Sequence, residues 1–173
     1  MKNKKHTKRV ALLGIMGAVA LALSFLESLI PTLPGLPPGA KPGLSNIVTM
    51  FLATYSGIAD AFFITVLKAV FAGATRGATA MLMSASGGLL STAAACVLLR
   101  SKKINIGYIG IGVICAVCHN IGQLISACLL SGTWSLVFGY GPLLLLFAVA
   151  TGFVTGTVLK LVLPALNRTL NSL

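Results

Sequence analysis

Five long apolar runs, at residues 10–30, 44–74, 78–99, 106–131 and 138–163, restrict what this 173-residue chain can fold into more than any other feature. A membrane helix needs about 20 such residues to cross a hydrocarbon core of roughly 30 Å, so four of the runs make one span each. The run at 44–74 differs: as a single helix it would be about 46 Å long at 1.5 Å per residue, too long for one crossing and short for two. Tyr55-Ser56-Gly57 marks a break in its middle. Only two acids, Glu27 and Asp60, stand against thirteen Lys and Arg, and charged residues make up 9% of the chain. A soluble domain needs about a quarter. The solvent for most of this chain is lipid.

Charge placement decides between five and six spans, because Lys and Arg collect on the cytoplasmic side. With six spans and the N-terminus inside, the five basic residues before Val10, the cluster Arg100, Lys102 and Lys103, and the pair Lys160 and Arg168 all lie inside, ten of thirteen. With five spans the middle cluster and the C-terminal pair would face outward. The expectation is an all-α, polytopic membrane protein of six spans (about 10–30, 44–56, 57–74, 78–99, 106–131 and 138–163) with both termini cytoplasmic. It would have a basic N-terminus at 1–9, one membrane domain at 10–163 and a short tail at 164–173. The basic start followed by VALLGIMGAVALALSFL resembles a secretory signal peptide, but the apolar run continues to Ile30 and others follow, so it reads as an uncleaved first span. Asp60 falls in the first turn of span 3, where a carboxylate favours the positive end of the helix dipole.

The net charge of +11 would suggest nucleic acid if it formed a patch with interleaved aromatics. Here the basic residues sit between apolar runs and read as topology signals, so no nucleic-acid partner is expected. Cys96, Cys115, Cys118 and Cys128 all fall inside apolar segments, where free Cys behaves as a small hydrophobe. No disulfide framework is implied.

Three basic residues remain unexplained by topology: Lys41 in the outer loop, Lys68 inside span 3 towards its outer end, and Arg76 in the turn GATRGA. An ionisable group in a span is a functional-site hypothesis by default. The competing reading for Lys68 is snorkelling or pairing with Glu27 at similar depth; for Lys41 and Arg76 it is an ordinary solvated charge. The loop 31–43 holds five of the seven prolines and three glycines, which makes it a stiff cover, a tether or a plain connector.

Small residues recur every fourth position at Gly14, Ala18 and Ala22 in span 1 and at Ala148, Gly152 and Gly156 in span 6. Such faces let membrane helices approach closely, within the bundle or against a partner. In span 4, Ser84-Ala85-Ser86-Gly87-Gly88 serves packing or leaves room for a ligand. Span 5 carries ICAVCHNIGQ, whose Cys115-x-x-Cys118-His119 is the attachment string of c-type haem. Thioether attachment needs an aqueous setting, whereas these cysteines sit mid-span, so haem is not expected. Nor does one C-x-x-C with a histidine make a closed zinc site. The weight shifts to His119, Asn120 and Gln123, buried polar groups that must find partners, either in neighbouring helices or in a ligand. Asn120 sits 100° round the helix from His119.

Three stretches, in order along the chain, resemble the bacterial membrane proteins called heptaprenyl diphosphate synthase component I, or the Gx transporter family: GAKPGLSNIVT at 39–49, SASGGLLS at 84–91 and HNIGQ at 119–123. In such proteins the residue before the histidine is often alanine, which makes Cys118 incidental; Pro42 replaces the aliphatic residue usual there. The resemblance implies a fold similar to the S-components of energy-coupling factor (ECF) transporters, in the cytoplasmic membrane. These capture a small molecule in an outward pocket and hand it over by toppling, driven by a transmembrane coupling subunit and two ATPases that supply the ATP dependence. It also implies docking of that partner on Gly14, Ala18 and Ala22.

Two functions follow as expectations. In the first, Lys41, Asn46, Lys68, Arg76, His119, Asn120 and Gln123 form an outward site for a small, anionic substrate of an uptake transporter, with no cofactor in this chain. In the second, the chain is a non-catalytic accessory subunit in prenyl diphosphate or quinone biosynthesis. Prenyl elongation itself binds diphosphate through Mg²⁺ on clustered carboxylates. Two acids on opposite membrane sides cannot supply that cluster, so an enzyme is not expected. A purely structural membrane adaptor is a third, weaker reading.

Overall fold

The computed structural model describes residues 2–29, 43–101 and 106–172. They form six helices: α1 (Lys2–Leu29), α2 (Asn46–Tyr55), α3 (Ile58–Arg76), α4 (Ala78–Arg100), α5 (Tyr108–Ser131) and α6 (Ser135–Ser172). Five are long and apolar enough to cross a membrane. The second of the six expected spans is the exception. It holds 10 residues, about 15 Å at 1.5 Å per residue, half of a hydrocarbon core of roughly 30 Å. The break at Tyr55-Ser56-Gly57 is where expected, with Gly57 at φ 137° between α2 and α3.

The half-length helix organises the bundle. A helix that is apolar all round is a buried one, and α2 buries Val48, Met50, Phe51, Leu52 and Ala53 on successive faces. Around it pack Ala20 of α1, Ile64 of α3, Ala95 of α4, Cys115 of α5 and Leu159 of α6, forming the larger apolar core. A smaller cluster of Met83, Leu144 and their neighbours fills the other half between α4, α5 and α6. The C-terminal end of α2 lies at the basic end of the bundle, where Arg100 Nε donates to the Ala53 carbonyl at 3.1 Å. Beside it Asp60, in the first turn of α3, accepts from Arg9 Nε at 2.9 Å and from the Ser56 hydroxyl. One carboxylate thus pins α1 to the α2–α3 junction as well as meeting the helix dipole.

Glycines set the helix spacing in the second half. A methyl group at Gly156 would lie 2.6 Å from Ile109 Cα, and one at Gly112 would lie 2.7 Å from Gly156 Cα, so the α5 and α6 backbones touch. Likewise a methyl at Gly122 would meet the Ser86 carbonyl oxygen at 2.6 Å, joining α4 to α5. The α6 stripe Ala148, Gly152 and Gly156 is therefore internal packing, with all three buried. The α1 stripe points the other way. Gly14, Ala18 and Ala22 are exposed, while Gly17, Ala20, Ser24 and Glu27 face the bundle.

Gly156→Leu is expected to lower thermal stability in detergent by several degrees, because overpacking a close contact costs about 1–3 kcal/mol or more. Gly14→Leu, with no atom within 4 Å of its missing methyl, should change it by less than about 0.5 kcal/mol.

Candidate functional site

Because α2 fills only half the bundle, the chain leading into it turns at mid-depth. Gly43 makes that turn at φ +78°, its carbonyl accepting from the Asn46 amide at 3.0 Å. A methyl there would lie 2.9 Å from Asn46 Nδ2 and 3.0 Å from His119 Cδ2. His119 stands midway along α5, so the N-terminal end of α2 opens against the middle of a crossing helix.

Polar residues from five segments converge at this point. The cavity is lined by Ser24 and Glu27 of α1, Gly43 and Ser45 before α2, Lys68 and Arg76 of α3, Ser84 of α4, and His119 and Gln123 of α5. With the open solvent at its mouth included it spans about 320 Å³, and the enclosed space is about 20 Å³. Lys68 is 4% exposed and Glu27 5%. The Lys68 ammonium donates to Asn46 Oδ1 at 2.7 Å, and Glu27 Oε1 accepts from the Ser45 backbone N–H at 2.8 Å. A carboxylate at a helix N-terminus meets unspent N–H groups and the positive end of the dipole. Lys68 and Arg76 both lie within electrostatic reach of Glu27, so the site holds two cations around one anion.

The amide nitrogen of Gln123 lies 2.9 Å from His119 Nε2. An amide nitrogen only donates, so Nε2 accepts and the ring proton sits on Nδ1. That atom is buried without a hydrogen bond of ordinary geometry among the described residues, and the ring's remaining polar neighbour is the Gly87 backbone of α4. A buried polar atom without a partner costs on the order of 1–3 kcal/mol, an arrangement suited to a guest that supplies the missing acceptor.

Of the residues singled out in the sequence, Asn46, Lys68, Arg76, His119 and Gln123 are brought together here. Asn120 is not: its amide donates to the Leu144 carbonyl at 2.8 Å, tying α5 to α6 beside an apolar cavity. The 100° between it and His119 carries it to the other side of α5. Lys41 lies outside the described residues. Ser24, Glu27, Ser45 and Ser84 were missed as site residues. The serines look like ordinary small membrane-helix residues, but Glu27 carried a signal, being the acid nearest in depth to Lys68. In SASGG, Ser84 lines the cavity, whereas a methyl at Gly87 would lie 2.7 Å from the His119 carbonyl oxygen. That stretch serves both packing and the site. Cys115 is core and Cys118 half-buried, both with free thiols.

Residues 16–162 match the family model described as heptaprenyl diphosphate synthase component I. The chain belongs to that family. Among solved structures it is similar to a protein described under "Structure and mechanism of the S component of a bacterial ECF transporter", with a TM-score of 0.55 and 20% identity over 96% of this chain and 97% of that one. The family member described here thus has an S-component-like membrane fold. No curated protein matches the sequence.

Gly43→Ala is expected to destabilise the protein more than Gly77→Ala. Both positions have positive φ, but Gly77 has nothing within 4 Å of a new methyl, whereas Gly43 has Asn46 and His119. Strain alone costs on the order of 1 kcal/mol, and crowding at Gly43 should add about 1 kcal/mol or more, which thermal unfolding of the two variants in detergent will separate.

Proposed function

We propose that this protein is the membrane-embedded, substrate-binding subunit of a small-molecule uptake transporter, S-component-like, in a bacterial cytoplasmic membrane. The observation that carries this reading is the buried charged cluster at the N-terminal end of α2. A lysine, a glutamate, an arginine and a histidine share one cavity that runs from the outer end of α3 to the middle of α5, and ionisable groups within the membrane are costly and mark ligand or ion pathways. The S-component-like fold supports it. With the ends bearing Arg9 and Arg100 inside, the cavity lies beyond α2 on the outer side, and Arg76 stands nearest the outside.

The chain has no nucleotide-binding loop, so energy comes from partners: a transmembrane coupling subunit and cytoplasmic ATPases. The exposed α1 face of Gly14, Ala18 and Ala22 is the docking surface for the coupling subunit. It borders an apolar groove lined by Leu13, Gly17 and Leu21 of α1 with Phe63 and Leu67 of α3. Lys41 extends the substrate site in this reading, whereas Asn120 acts on α6.

The family description favours a second reading, an accessory subunit in prenyl diphosphate synthesis. The two acids stand apart, Glu27 at the mid-depth cavity and Asp60 with Arg9 at the basic end, so the part they could play in that reaction is delivery or anchoring of a substrate rather than metal-assisted catalysis.

Co-purification in mild detergent tests the proposal. A coupling subunit and ATPases should accompany the wild-type protein, and Ala18→Leu should abolish the association while leaving thermal stability within about 0.5 kcal/mol. Association with a soluble prenyl synthase subunit alone, whose activity then depends on this chain, would overturn the transporter reading.

A further inference from the structure

Among the described residues, the charged groups of the cavity are mostly hydrogen-bond donors. An ammonium carries three N–H donors, and Lys68 spends one of them on Asn46. Arg76, half-buried at the same cavity, forms no ion pair and no side-chain hydrogen bond among the described residues, so its five guanidinium donors stand over the same space. His119 adds a buried Nδ1 that has no hydrogen bond of ordinary geometry among the described residues. On the other side stand one charged acceptor, the Glu27 carboxylate, with Oε1 held by the Ser45 amide, and the neutral oxygens of Gln123 and the lining serines. Formal charge follows the same imbalance: Lys68 and Arg76 bring two positive charges, Glu27 one negative, and the acceptor role of His119 Nε2 keeps the ring neutral. Among the described residues one positive charge is left over.

Building on the substrate-binding reading above, we infer that the ligand places an oxyanion group of one net negative charge, a carboxylate or a phosphate ester, between Lys68 and Arg76. His119 Nδ1–H serves as the neutral third donor. Charge-assisted hydrogen bonds are the strong ones in a dry site, and a buried charge is tolerated when paired. Glu27 is the specificity-determining residue of this site. It cancels one of the two cations, so a monoanion neutralises the cavity whereas a dianion leaves a buried negative charge in excess. A cationic ligand would leave three positive charges against one negative.

The intact protein in mild detergent can be titrated at fixed ionic strength with acetate, dimethyl phosphate, inorganic phosphate and ethylammonium, reading the thermal unfolding midpoint. Just above neutral pH inorganic phosphate is mostly a dianion and dimethyl phosphate a monoanion. A saturable rise with acetate or dimethyl phosphate in the millimolar range is expected, with less from inorganic phosphate and none from ethylammonium. Whichever monoanion binds more tightly tells carboxylate from phosphate ester. Arg76→Gln, at a half-buried helix end, should weaken the monoanion roughly tenfold or more. Glu27→Gln keeps an oxygen for the Ser45 amide and should shift preference towards inorganic phosphate by on the order of tenfold.

The inference is overturned if ethylammonium stabilises the protein, if no anion gives a saturable shift, or if the shift is the same in both variants. Its failure is distinguishable from failure of the transporter reading. Monoanion binding without any coupling subunit in the purified complex removes transport and leaves the oxyanion site. A complex with coupling subunit and ATPases that binds no anion does the reverse.

Discussion

The structure depends on keeping the Lys68 ammonium and the Glu27 carboxylate inside a lipid-embedded bundle. Removing such ions from water costs several kcal/mol each, even after relaxation, and mutual attraction recovers this only when further hydrogen bonds complete the site. Here Asn46 serves the ammonium and the Ser45 amide serves the carboxylate. Both partners come from the turn into α2. The half-length of α2 is thus the condition for the cluster. A helix that continued through the membrane would place apolar side chains where Gly43, Ser45 and Asn46 now sit, and take these hydrogen bonds from both charges.

The rest of the fold holds that turn in place. At the basic end, Asp60 joins Arg9 of α1 to the junction of α2 and α3, and Arg100 of α4 reaches the last turn of α2. On the far side, glycine contacts let α4, α5 and α6 meet backbone to backbone, presenting His119 and Gln123 as a fixed wall. Thr65 and Thr92, 2.7 Å apart, join α3 to α4. The first helix differs from this packed wall. It contributes Ser24 and Glu27 to the cavity on one face and exposes its small residues on the other, so site and docking surface share a single element.

Much of this was legible in the sequence. Apolar run lengths marked the crossing helices, and Gly57 marked the α2–α3 break because a glycine after Tyr55-Ser56 can end one helix and begin the next. Lys68, His119 and Gln123 stood out because polar groups in lipid need partners. The half-length of α2 was not legible: an apolar run records which residues avoid water and not the depth at which the chain enters, and that depth is fixed by tertiary contact between Gly43 and His119. The two small-residue stripes have the same spacing and opposite fates, since small side chains favour close packing without naming the neighbour. Asn120 is chemically like Gln123, and its position round α5 sends it to α6. The serines of the cavity carry no signal of their own until the helices bring them together.

The central claim is that the charged cluster is a ligand site open to the outside rather than a sealed structural network. Ser84 lines it from α4 and can be replaced by cysteine in a background with Cys96, Cys115, Cys118 and Cys128 changed to alanine. Labelling in oriented vesicles with a charged, membrane-impermeant thiol reagent then reads its accessibility directly. Modification from the outer side is expected, faster with an anionic reagent than with a cationic one of the same size. Modification only from the inner side, or none from either, would contradict it.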